Sequence, residues 1–397
     1  MYANRLSRRG RTGIGLALAC AFALVVAPAA FGATFTVSNT HDSGAGSLRE
    51  AIEKANDETT NPGKDTIKIT ATGSIGLESE LPSLASDMAI VGPGASSLTV
   101  TRAFGAPDFR IFTVESATDS ISRLSVKKGS ARGLQAYGGG IYNAGGILTL
   151  KSAVIAKNSA VNTDSGGSAF GGGILSSGTL TVKTSRITDN QVGGTSGSVF
   201  DGGGIESQGT LHLARSTVDG NNGPDATVSY GGLIENSTIA ENDAIGLATV
   251  TATTTTLRSS TIAGNAGDGT FPVNVNVAGT TSFQNTIVAD HPNPGNDCHY
   301  SGTPTVISQG HNLESEISCG FEATGDRQNK DPKLGPLTNN GGPTPTRAIP
   351  MSSPATDRGD SDGLKTDQRG KKRPVDFPSI QNGPGGDGAD IGAFEIQ

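Results

Sequence analysis

The chain has 397 residues, with 30 Lys or Arg against 37 Asp or Glu, a formal net charge of −7, 57 Gly and no Trp. An acidic chain of this kind has no overall electrostatic footprint for nucleic acid or for an anionic membrane face. With 34% hydrophobic and 5% aromatic residues it is poorly supplied for one large globular core, but suits a narrow solenoid whose coils each bury a few β-branched side chains.

Residues 1–32 read as an export signal. Arg5, Arg8, Arg9 and Arg11 precede an apolar run from Ile14 to Val26, which is too short to span a bilayer comfortably and is followed by Pro28. Ala27-Pro28-Ala29 and Ala30-Phe31-Gly32 offer cleavage sites. The second is favoured because Thr34-Phe35-Thr36-Val37 already alternates as a strand does. Ser7-Arg8-Arg9 resembles part of a twin-arginine signal, but Arg11 stands where an apolar residue belongs, which favours the Sec route. Cys20 lies inside the apolar run, with Ala17 where a lipidation signal prefers Leu. Removing four arginines and no acids takes the net charge to about −11. The expected localisation is secreted or cell surface, and no later stretch is apolar enough to cross a membrane.

Residues 33–62 read as an N-terminal cap. Ser47-Leu48-Arg49-Glu50 is a capping box, and Leu48, Ala51, Ile52 and Ala55 share one apolar helical face. Such a helix covers the unpaired edge of the first coil, with Asp65–Ile69 as an early strand.

Residues 63–316 carry the repeats. Gly138–Leu150, Gly171–Val182 and Gly202–Leu213 share a triple glycine, an Ile and a short apolar alternation. Each leads to a second segment: Ile155–Asn158, Ile187–Asn190 and Val218–Asn221. That segment returns as Ile239–Asn242, Ile262–Asn265 and, more loosely, Ile287–Asp290. The marker positions are 32, 31, 21, 23 and 25 residues apart. Short gaps are single coils. Long ones carry an extra Gly/Ser/Thr-rich loop, as at Val161–Phe170 and Val192–Asp201. Leu180 and Val182 alternate with Thr179, Thr181 and Lys183, a period of two that selects strands over helices. Gly marks corners needing positive φ, and Asn tolerates the same conformation. Asn158, Asn190, Asn221, Asn242 and Asn265 are therefore expected to stack as a corner ladder. About ten coils, roughly 4.8 Å apart, make a rod of roughly 45 Å. The general preference for right-handed crossovers sets the hand. The expected fold is all-β: a single-stranded right-handed parallel β-helix with a short N-terminal capping helix.

Cys298 and Cys319 remain after cleavage. In an exported chain an even pair reads as a disulfide, whereas His299 and His311 match no zinc spacing.

Phe35–Thr40, Asp42-Ser43-Gly44, Gly46–Ile52 and Ala55-Asn56 resemble the start of exported bacterial β-helix proteins with a CSLREA-type motif, Gly46 replacing the cysteine. Within residues 317–397, Asp331–Leu337, Asn340–Thr344, Ser353–Asp357, Asp367–Gly370, Arg373-Pro374 and Asp390–Glu395 resemble a choice-of-anchor Q domain. The resemblance implies export, a β-helix and an extracellular setting, and supplies no catalytic residues. No sorting motif, apolar tail or basic tail follows Glu395, so release or non-covalent attachment is expected.

Parallel β-helices include polysaccharide lyases and hydrolases, so the acids need weighing. Asp189, Asp201, Asp219, Glu241 and Asp243 fall near corners and could gather on one side, yet each also suits a solvated turn. Gly310-His311-Asn312 approaches a polygalacturonase Gly-His-Gly without a paired Asp-Asp. Aromatic sugar platforms reduce to Tyr137, Tyr142 and Tyr230 in the repeats. Gly385–Asp390 matches the start of one calcium-binding nonapeptide, and Arg358-Gly359-Asp360 spells an adhesion tripeptide; both fall in the C-terminal motifs. The expectation is a non-catalytic scaffold for adhesion or extracellular binding, with no catalytic, metal or cofactor residues. Its partner is an extracellular glycan or protein surface. The alternative is a lyase or glycoside hydrolase of pectate-lyase-like type.

Overall fold

The computed structural model describes residues 32–250, 253–267, 273–291 and 296–397. The export signal and Cys20 lie outside the described residues. From residue 32 onward the chain belongs to one compact unit.

Three parallel sheets wind around a single core. The first runs from Thr34–Val37 to Thr305–Ser308 and the second from Gly73–Leu77 to Leu313–Glu314. The third runs from Phe112–Val114 to Cys298–Tyr300. One coil shows the plan: Ile147–Lys151 in the first sheet, Val154–Ala156 in the second, then Ser159–Asn162 and Ile174–Ser176 in the third. Period-two alternation turns Leu148, Leu150 and Ile155 inward, where they are fully buried. Each then stacks on its equivalent in the next coil, as Ile155 does on Ile187 and Ile187 on Val218. The chain is an all-β parallel β-helix.

At the N-terminal end the helix Leu48–Ala55 buries Leu48, Ala51, Ile52 and Ala55 against the strands Thr34–Val37 and Asp65–Ile69. Ser47 Oγ accepts from the Glu50 amide at 3.2 Å. The return bond is shifted by one residue: Glu50 accepts from the Gly46 amide at 2.7 Å, while the Ser47 amide bonds Gly44.

Two features differ from the expectation. The Gly/Ser/Thr-rich insertions are ordered. Gln135–Tyr137, Ser168–Phe170 and Val199–Asp201 form a small parallel sheet. With Ser130–Gly133, Ser159–Asn162 and Gln191–Gly193 they build a wing that has its own apolar centre of Ala131, Ala136, Ala160, Ala169, Val192 and Phe200. The return from wing to coil runs through the triple glycines. Gly173 has no room for a Cβ, which would lie 2.6 Å from the Gly204 carbonyl and 3.0 Å from the Asn190 side chain. The second difference is at the last marker: Val288, not Ile287, pairs with Ile262. Ile287 instead faces a second apolar cluster with Leu313, Ile349 and Ile391, so its hydrophobicity serves the tail rather than the coil core.

Beyond residue 316 the chain has little regular structure, with one antiparallel pair, Leu337–Thr338 with Arg347-Thr346. It runs back along the second sheet. Thr217 Oγ1 donates to the Pro345 carbonyl, Gln368 Nε2 to the Ser216 carbonyl, and the Ala393 amide to Thr261 Oγ1. Arg373 anchors it: fully buried, it meets Glu395 at 2.8 Å and donates to Asn236 Oδ1 and the Gly392 carbonyl.

Candidate functional site

The corners hold continuous polar ladders. Asn158 Nδ2 donates to Asn190 Oδ1 at 2.9 Å, Asn190 to Asn221 at 3.0 Å, Asn221 to Asn242 at 3.0 Å and Asn242 to Asn265 at 2.8 Å. All five are buried. The ladder continues through Asn274 to Asp297, residues outside the repeated segment. Positive φ falls not on these asparagines but one residue earlier, on Lys157, Asp189, Gly220, Glu241 and Gly264. That residue bends the chain and leaves the following Asn free to turn inward. The corner between the first and second sheets carries a second ladder, with the Ser185 amide on Ser216 Oγ, Ser216 on Ser237 and Ser237 on Ser260. The buried amides of Asn158, Asn190, Asn221, Asn242, Ser185, Ser216 and Ser237 thereby gain acceptors. A disulfide joins Cys298 to Cys319.

The five acids singled out in the sequence part company. Asp219 is buried and held by Arg186 at 2.7 and 2.5 Å. Glu241 accepts from the Leu337 amide of the tail, and Asp243 from Asn222 Nδ2. Asp189 is exposed at a corner. Asp201 alone enters a carboxylate cluster, beside Asp225 and Glu206, where the wing meets the third sheet.

That cluster is strongly perturbed by burial. Glu206 stands at an outward position of its strand, paired with Leu175 and Val228, yet is only 2% exposed. Burial, and then the charge of Asp201, pushes its pKa up to about 8. Burial also raises Asp201, against a side-chain hydrogen bond with Asp225. Burial and the charges of Glu206 and Asp201 raise the neighbouring Tyr230 phenol. Three carboxyls in so dry a place cannot all ionise cheaply, and Glu206 is the one that holds its proton at neutral pH. Beyond the wing's last strand lies an open groove of ≈ 630 Å³, lined by Val192, Phe200, Asn222, Pro224 and Asp243. At the wing's other end Tyr137 stacks on Phe170 at 5.8 Å and lies 6.1 Å from Tyr142, over which Arg110 sits at 5.2 Å.

The remaining motifs hold the tail. His311 is buried, with Nδ1 2.9 Å from the Arg358 carbonyl. Gly359 packs against Ala389 and Asn285, and the Asp360 amide donates to Asn285 Oδ1, which builds the adhesion-like tripeptide into the docking surface. Asp387 accepts from the Ser361 amide and hydroxyl, and Asp390 from the amides of Asp357 and Ile396. Among the described residues no group of three His, Cys, Asp or Glu is placed to hold a metal ion.

No protein-family model and no curated protein matches the chain. Solved structures similar to it include two at low identity. The pectate lyase Pel9A superposes with a TM-score of 0.47 at 13% identity, over 92% of this chain and 96% of that one. ORF18 of Geobacillus virus E2 gives 0.28 at 10% identity, over 70% of this chain and 60% of that one. At these values neither likeness carries function to this chain.

Proposed function

We propose that this chain is a secreted or cell-surface β-helix scaffold that binds extracellular material on its coil faces and does not turn it over. The observation that carries the reading is the employment of its acids. Asp219, Glu241, Asp243, Asp387 and Asp390 all hold the fold or the tail, through the bonds given above. A lyase needs a cation or base beside carboxylates that face the polymer, and the arginine beside the acids of the repeats, Arg186, is held by Asp219. The test is incubation of the purified mature chain with acidic and neutral polysaccharides, with and without calcium. Retention of polymer without unsaturated uronides or new reducing ends is expected.

The carboxylate cluster favours a second reading, a glycoside hydrolase. A protonated Glu206 near an ionised partner is the pairing that general acid chemistry requires. Release of reducing ends that is abolished by Glu206→Gln would establish it and displace the scaffold reading.

A further inference from the structure

We propose that the uncovered part of the second sheet is a binding site for an extended anionic polysaccharide, carboxylated or sulfated, lying along the axis of the β-helix. The proposal rests on the scaffold reading and names the class of its ligand. In a chain with more acids than bases, residues 120–188 hold eight Lys or Arg and a single acid, Asp164. The fold gathers four of these cations on one face and three more at its border. Lys127, Lys128, Lys157 and Arg186 line a groove of ≈ 500 Å³ together with Thr99, Thr101 and Thr188. Arg123 and Lys151 line a smaller one at the preceding corner, and Lys183 stacks on Lys151.

Three properties point to the ligand. First, the cations are available. Lys128, Lys151, Lys157 and Lys183 are exposed, and among the described residues none of them has an ion-pair partner. Second, the array is periodic. Thr101, Lys127, Ala156 and Thr188 occupy one row in successive coils, and Lys128 and Lys157 follow in the next position of theirs. Lys128 and Lys157, and likewise Lys151 and Lys183, therefore stand one coil apart, a step of about 4.8 Å comparable to one pyranose of an extended chain, with the hydroxyls of Thr101 and Thr188 flanking the lysines to meet sugar hydroxyls. Third, the face is bounded. At Thr217 the returning tail covers the sheet, while Ser74 and Thr99 line the other end of the groove. Single-stranded nucleic acid would want aromatic stacking platforms, and the groove lining has none.

Binding of the mature chain to polygalacturonate and to heparin tests this, with dextran and a single-stranded oligonucleotide as controls. In Lys127→Ser/Lys128→Asn/Lys157→Asn, Asn suits the positive φ of the last two positions. This variant should weaken polyanion binding at least tenfold and flatten its salt dependence, because fewer counterions are displaced. Lys371→Ser/Lys372→Ser on the tail should change little, and Asp189→Asn, which removes the acid of the groove, should tighten binding. On the wild-type chain, bound polymer should protect Lys127, Lys128 and Lys157 from acetylation while Lys330 and Lys333 stay reactive, a readout independent of any variant's folding. Unchanged affinity in the triple variant, equal binding to dextran, tighter binding to the oligonucleotide or absent protection overturns the proposal. Binding followed by cleavage leaves the groove standing and removes the scaffold reading. Failure to bind any polyanion removes the groove and leaves that reading intact.

Discussion

Replacing Asn221 by Ala removes the middle rung of the asparagine ladder. Its Oδ1 accepts from both the backbone amide and Nδ2 of Asn190 at 3.0 Å, and its own Nδ2 donates to the carbonyls of Ile187 and Asp219 and to Asn242 Oδ1, all at 3.0 Å. After truncation Asn190 Nδ2 keeps the Ile155 carbonyl, but the buried Asn190 amide has no acceptor. One orphaned buried amide costs about 1–3 kcal/mol, and the weakened bonds and small void add to it, giving roughly 3–5 kcal/mol in all. Asn221→Asp sharpens the point. It keeps Oδ1 for Asn190 but turns a second oxygen toward three acceptors, so this near-isosteric change should be at least as damaging as Ala at pH 7. Equilibrium denaturation in urea measures both. An Ala variant within about 1 kcal/mol of the parent, or an Asp variant more stable than Ala, would refute the reasoning.

Three further outcomes follow from the same geometry. Glu206 has a folded pKa raised to about 8, above its ordinary 4.5. The stability tied to its proton is complete below 4.5 and lost as pH climbs to about 8, on the order of 5 kcal/mol over the window. Thermal midpoints should therefore fall from pH 5 to pH 9, and Glu206→Gln should flatten that slope; an unchanged slope contradicts it. Arg373→Ala strands the buried Glu395 and should cost about 3–5 kcal/mol. Limited proteolysis should then cut within residues 317–397 first, and uniform cleavage along the chain would count against this role. Cys298→Ser with Cys319→Ser opens a closure of 21 residues and should cost roughly 3 kcal/mol in urea denaturation, and a thiol reductant should lower the parent's midpoint while leaving the variant's unchanged.

The coil was legible because its signals are local and repeat. Ile155, Ile187, Val218, Ile239 and Ile262 stand in one buried row, and the asparagines three residues on stand in another. What escaped has no such period. The wing strands are three or four residues long, and hold together only because neighbouring insertions stack. Glu206 has the pattern of an outward, solvated residue, and its burial follows from a wing that the same pattern does not reveal. Asn274 and Asp297 extend the ladder from unlike surroundings, so no motif ties them to it. The serine ladder was in plain view as a Ser before four consecutive second-sheet strands, but a lone Ser at a turn has too many ordinary explanations. The basic groove is assembled from residues some thirty positions apart in sequence. Only the stacking register makes neighbours of Lys128 and Lys157.

The tail that lies back along the second sheet changes how such a rod must form. A stack of coils needs only nearest-neighbour contacts and can grow from any starting turn. Gln368, by contrast, meets Ser216 across 152 positions and Arg373 meets Asn236 across 137. Closures that long come late and slowly, after the coils that receive them exist. The docked tail would thus act as a latch, turning a stack that could fray coil by coil into one whose release begins with a single slow step.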